Sequence, residues 1–205
     1  MKNATKHADE LKSLHKKLAR EYKPVERPVV DPLKALVRAA MSFDVADTRA
    51  DEAMKLIDKE FVDLNELRVA TELEVQEMLG QKYPAIERRV AMITAALNNI
   101  FEREHTLSLD RLKTLNKRDA RQFLRELPEI HPFVEAYVML YAFEGHAIPI
   151  DEEMLVALRD MHIADAETSL ADVQKFVEHN VKAEDCHDFF TALRRFLSDR
   201  AKKKK

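Results

Sequence analysis

The chain has 205 residues, of which 35% are charged, with a net charge of −3, one cysteine and two glycines. Two isolated glycines, Gly80 and Gly145, exclude a glycine-rich phosphate loop and a dinucleotide-binding turn. The lone Cys186 excludes a disulfide framework, a cysteine-based zinc finger and a four-cysteine iron–sulfur cluster within one chain.

Charge is unevenly placed. Residues 1–27 carry +4 and Lys202–Lys205 another +4, so the intervening body carries −11. An acidic body with two basic ends lowers the expectation of a broad basic face for nucleic acid. The ends themselves can give weak, salt-sensitive attraction to polyanions. No stretch approaches the roughly 18 apolar residues of a membrane span, and no signal-peptide pattern opens the chain. The expected setting is the cytoplasm, with no membrane contact.

Helical periodicity dominates the sequence. Residues 7–22 place Leu11, Leu14, Leu18 and Tyr22 on one face. Asp31 is placed to cap a helix that starts with Pro32, where the missing N–H costs nothing. A helix from about Asp47 to Glu60 turns Ala50, Ala53, Met54 and Ile57 inward, and Asp63 caps a short turn. Thr71 and Glu74 form a capping box, with Gly80 as the left-handed stop. Ile86, Val90, Ile93, Leu97, Ile100 and Phe101 hold a 3.6-residue period from Pro84 to about Arg103.

Asn116 opens a helix carrying Ala120, Phe123, Leu124 and Leu127. Residues 132–144 are apolar nearly all round, which predicts a helix packed on several sides, with Gly145 ending it. Asp151 caps the next helix, and two more follow, through Val173, Phe176 and Val177 and through Cys186, Phe189, Phe190, Leu193 and Leu197. The prediction is all-α: about ten helices, no strand and a basic tail at 201–205. The eight histidines show no metal-binding spacing, so neither a metal nor another cofactor is expected. Cys186, Tyr137, Tyr141 and the Phe189, Phe190, Phe196 stripe read as core.

The segment Leu127–Asp151, LPEIHPFVEAYVMLYAFEGHAIPID, joins a helix, a proline-flanked turn, a buried helix, a short loop and a capping Asp. This order resembles the helix-hairpin-helix DNA glycosylases of the endonuclease III superfamily. Their hairpin has the form LPGVGxK, followed by a catalytic aspartate. Leu127-Pro128 matches the hairpin's opening, and Asp151, 24 residues after Leu127, occupies the aspartate's place. Upstream, DPLKALVRAAMSFDVAD resembles the family's early helix and its LSxQxxD segment, with Asp44 where many members carry a duplex-probing glutamine. LGQKYPAIERRVAMI resembles the segment reading GxxxxKAxxI in relatives.

The resemblance covers about residues 30–200 and implies a two-lobed helical fold. One lobe would run over about 30–130. The other would join 1–29 to 131–200, and the cleft between them would carry Asp151. It also implies a DNA-binding hairpin over Leu127, Pro128, Glu129, Ile130, His131, Pro132 and Phe133.

The departures lie in that hairpin. Glu129 and His131 replace its glycines, and Glu129 sets a negative charge where a phosphate would approach. Phe133 replaces the catalytic lysine and cannot form a Schiff base, which excludes β-lyase chemistry. The resemblance therefore implies a diverged base-excision-repair protein with weak affinity for double-stranded DNA and reduced or lost catalysis. Two alternatives stay open. One is an active monofunctional glycosylase using Asp151 as its catalytic carboxylate. The other is a non-catalytic scaffold for an unidentified protein partner.

Overall fold

The computed structural model describes residues 4–203. Lys204 and Lys205 of the expected basic tail lie outside them; 201–203 continue the last helix. Among the described residues the fold is all-α, with eleven α-helices, two short 3-10 turns and no strand. None of these helices is long and apolar enough to cross a membrane.

The chain divides into two compact units. One is the continuous segment Val29–Phe143; the other joins the chain up to Pro28 with the part from Glu144 onward.

The continuous unit holds α2 (Pro32–Ser42), α3 (Asp47–Glu60), α4 (Leu64–Val69), α5 (Glu72–Leu79), α6 (Ile86–Glu104), α7 (Lys117–Arg125) and α8 (Pro132–Ala142). Its starts follow capping chemistry. Asp31 accepts from the N–H groups of Leu33 and Lys34, Asp63 from those of Asn65 and Glu66, and Asn116 from that of Asp119. Thr71 and Glu74 close a full capping box. Such caps satisfy N–H groups that have no carbonyl four residues back, and each is worth about 1 kcal/mol.

The hub is α2 against α8. Residues Phe133–Leu140 are buried without a break, which agrees with a sequence apolar on every side. α7 flanks α8, and α6 packs on α2, α4 and α5. The helix α8 thus belongs with the middle helices and not with the C-terminal group in which 131–200 was expected to lie.

The end of α8 also differs from expectation. The helix stops at Ala142, and Glu144, not Gly145, takes the left-handed backbone with φ 49°. Lys117 Nζ donates to the carbonyl of Phe143 and so satisfies one of the helix's terminal acceptors.

The second unit holds α1 (Ala4–Glu21), α9 (Glu152–Asp160), α10 (Leu170–Asn180) and α11 (Cys186–Lys203). α1 packs on α11 and α10, burying Leu11, Leu14 and Leu18 in the same unit as Phe189, Phe190 and Leu193. His7 ties α1 to the loop after α9 through the His162 carbonyl at 2.7 Å and Asp165 at 3.0 Å. Asp151 caps α9 by accepting from Met154 N–H at 2.9 Å.

A chain with two glycines must put other residues where the backbone turns left-handed. Six do so: Asp44, Ala85, His105, Glu129, Glu144 and His162. Each costs on the order of 1 kcal/mol through contact of Cβ with the following carbonyl. Gly80, at φ 86°, is the one described glycine in that region.

Candidate functional site

In the continuous unit the hairpin is the turn between α7 and α8. Leu127 anchors it at 3% exposure, while Pro128, Glu129 and Pro132 are exposed and Ile130 and His131 half-buried. Glu129 adopts φ 57°, and the Ile130 N–H reaches the Leu127 carbonyl at 3.4 Å. A tight turn is therefore present, held by a glutamate in the left-handed region. His131 is extended at φ −77° and works as the N-cap of α8, its Nδ1 accepting from the Phe133 N–H at 3.2 Å.

That cap fixes the proton of His131. Nδ1 must be bare to accept, so the neutral ring carries its hydrogen on Nε2. Burial, aided by Arg88, moves the His131 pKa below its ordinary value, against an opposing pull from Asp44. The neutral form is thus both favoured and used.

The His131 ring stacks on Phe43 with centroids 4.5 Å apart and planes 3° from parallel. Phe43 closes α2 and precedes Asp44, an exposed residue at φ 52°. The expected duplex-probing position and the hairpin are thereby brought together. What fixes them was missed in the sequence. Arg89, 2% exposed, donates to the carbonyls of Ala40, Phe43 and Pro84 at 2.6–2.7 Å, and its guanidinium lies 3.9 Å from the Phe43 ring centre. One buried cation thus satisfies the end of α2 and holds the ring against which His131 packs. A signal existed: Arg89 falls on the apolar stripe between Ile86 and Val90.

Phe133 is fully buried, its ring 6.3 Å from that of Phe43 and 6.0 Å from that of Tyr137. Tyr137 in turn stacks on half-buried Tyr141 at 4.3 Å. An apolar ring with no exposed surface offers neither a nucleophile nor a proton acceptor at this position. Glu135 on the same helix is 3% exposed and ion-paired with Arg121 and Arg125 of α7. That locks the two helices flanking the turn.

Asp151 lies in the second unit and is 0% exposed. Oδ1 caps α9 through Met154, and Oδ2 pairs with Arg194 Nη1 at 3.0 Å. The Arg194 side chain is 9% exposed. One oxygen of the buried carboxylate thus serves a helix cap and the other a guanidinium. Arg194 was also missed; it sits four residues after Phe190 and three before Leu197, on the apolar stripe of α11.

Cys186 is buried, with its Sγ 3.3 Å from the Lys182 carbonyl. Burial, with Glu178 and Asp185 adding, pushes its thiol up to about 12. Among the described residues no three His, Cys, Asp or Glu side chains group as metal ligands.

No protein-family model matches the sequence, and neither does any curated protein. Solved structures do match. The chain superposes on endonuclease III in a trapped covalent DNA intermediate with a TM-score of 0.73 at 12% identity, covering 92% of this chain and 85% of that one. Against the Clostridium acetobutylicum 8-oxoguanine glycosylase/lyase in complex with duplex DNA the TM-score is 0.74 at 17% identity, covering 98% and 71%. Against the H. pylori 3-methyladenine DNA glycosylase bound to 1,N6-ethenoadenine it is 0.69 at 13% identity, covering 97% and 98%. The fold is that of the helix-hairpin-helix DNA glycosylases. That likeness extends over nearly the whole chain.

Proposed function

We propose that this protein is a diverged, DNA-associated member of the endonuclease III-like superfamily that holds duplex DNA weakly through its hairpin and no longer excises bases. The observation that carries the reading is Asp151. Its two oxygens serve Met154 N–H and Arg194, and none of its surface meets solvent. A carboxylate that activates water, or stabilises a cationic sugar, must reach the reacting atoms. This one is held by structure. Phe133 removes the Schiff-base route, since no amine is present at that position.

The affinity for DNA is supported by the retained turn at Glu129 and by the placement of the Asp44 loop against His131. Glu129 weakens that affinity, because a carboxylate facing phosphate adds like-charge repulsion. The test is fluorescence anisotropy with a duplex carrying a tetrahydrofuran abasic-site analogue beside the undamaged duplex. It is paired with single-turnover base release from duplexes carrying oxidised, alkylated or deaminated bases. The expected result is weak duplex binding and no base release. Base release that disappears in Asp151→Asn would establish the active monofunctional glycosylase instead. Absence of duplex binding at low salt would leave the protein-interaction scaffold.

A further inference from the structure

Phe196 was expected in the core with Phe189 and Phe190. Those two are buried, but Phe196 is half-buried. It lies in a groove of about 420 Å³ between α1 and α11, where the cations Lys17, Arg200 and Lys203 share the lining with the acids Glu21 and Asp199 and with Tyr22 and Met161. Lys17 Nζ stands 4.9 Å from the ring centre and the Arg200 guanidinium 5.6 Å.

The last turns of α1 and α11 meet at this groove, where the Tyr22 hydroxyl donates to Asp199 at 3.1 Å. Segments 16–23 and 195–203 together hold eight Lys or Arg and only Glu21 and Asp199 as acids. That is +6 in a chain whose total is −3, so all the rest carries −9. Cations are common at helix C-termini, where they offset the macrodipole. Two helix ends supply only about −1 between them, which leaves a surplus of about +5. The helix ends do not account for this charge.

We infer that the α1–α11 groove is a second nucleic-acid contact, one that takes the phosphodiester backbone of duplex DNA without regard to sequence. Duplex DNA carries one negative charge per about 1.7 Å of axis, so a compact set of cations meets several phosphates at once. A lipid surface fits less well. An interfacial helix needs an exposed apolar face, and none of the exposed large apolar side chains lies on α1 or α11. The groove belongs to the unit that lacks the hairpin, and the inference stands on its own charge and shape whatever the hairpin does.

The test replaces Lys17, Arg20, Arg200 and Lys203 with Gln together in the full chain. A control replaces four exposed cations of the other unit, Lys55, Lys59, Lys113 and Arg118, by Gln, for the same change in net charge. Circular dichroism and urea midpoints check that both fold. Binding of an undamaged duplex is then followed from 50 to 200 mM salt. The groove variant is expected to lose at least tenfold in affinity at the lowest salt. Its slope of log K against log salt should flatten by up to about 3.6, at roughly 0.9 for each phosphate no longer neutralised. The control should keep the wild-type slope.

Equal losses in both variants would mean that only total charge matters and would overturn the inference, as would an unchanged groove variant. Phosphatidylserine vesicles that bind through the four cations while duplex DNA does not would assign the groove to membrane and overturn it too. Failure of the hairpin reading is a different result: duplex affinity unchanged by Glu129→Gly at every salt, with the groove-dependent slope intact.

Discussion

The hairpin and Asp151 have diverged in opposite ways from the pattern they resemble. At the hairpin the backbone shape is present without its glycines: Glu129 holds φ 57°, and His131 supplies the cap of α8. At Asp151 the side chain is present, but its carboxylate is taken up by a helix cap and a buried guanidinium. A binding turn can lose its preferred residues and keep its geometry if the neighbouring packing holds it, here through Phe43 and Arg89. The two sites thus differ in what holds them: the turn is set by backbone and ring packing, the carboxylate by a cap and an ion pair.

The strongest way to break this comparison is to remove the carboxylate. Asp151→Ala removes one member of a buried ion pair with Arg194, a change that typically costs about 3–5 kcal/mol, and removes the α9 cap, worth about 1. Urea denaturation should show a loss in that range. Asp151→Asn keeps an oxygen for Met154 N–H and should lose clearly less. A loss below about 1 kcal/mol for Asp151→Ala would mean that the carboxylate is not structural, and its catalytic role would return.

Next in size is Arg89→Met. It keeps the aliphatic bulk but deserts three carbonyls at the end of α2 and before α6. Unsatisfied buried acceptors cost about 1–3 kcal/mol each. With partial rescue by solvent, a total of about 2–3 kcal/mol is expected from urea denaturation. Because Arg89 also fixes Phe43, the hairpin should loosen, read as faster amide exchange at Phe133 and Val134. Destabilisation without faster exchange there would separate the hairpin from this clamp.

Much of this was legible in the sequence, and the boundary is instructive. Caps at Asp31, Asp63, Thr71, Asn116 and Asp151 are local side-chain chemistry, and Gly80 ends its helix through its backbone. The buried stripe of α6 and the all-round burial of α8 follow from periodicity. What stayed hidden is what depends on partners distant in sequence. Arg89 and Arg194 read as breaks in apolar stripes, and only the carbonyls of Ala40 and Phe43 and the carboxylate of Asp151 explain them. The left-handed turn at Glu129 was hidden for another reason. Glycine predicts positive φ, and here a residue without that preference is forced into it.

The histidines give a smaller effect with a definite sign. His131 is held below its ordinary pKa mainly by burial and then by Arg88, and His187 mainly by burial and then by Arg27. As pH falls below about 6.5, the unfolded chain binds these protons before the folded one. Stability present above that pH is therefore lost as pH falls through the folded values. Urea midpoints should drop between pH 7.5 and 5.5. His131→Asn, which keeps a cap acceptor but cannot titrate there, should drop less. Equal drops in both would show that protonation of His131 does not contribute to the loss.

Glu129→Gly is expected to move stability least and binding most informatively. Glycine relieves about 1 kcal/mol of left-handed strain but adds about 0.5–1 kcal/mol of conformational entropy to the unfolded chain. The two nearly cancel, so the urea midpoint should hardly shift. Removing a carboxylate from the exposed tip also removes its repulsion of phosphate, so duplex affinity should rise at low salt and converge with wild type as salt screens the charge. A gain that persists at high salt would instead point to closer backbone approach, with the missing side chain as the main obstacle. No gain at any salt would place the DNA contact away from this turn. The shape preserved at Glu129 would then be a feature of α7–α8 packing alone, as structural as the carboxylate of Asp151.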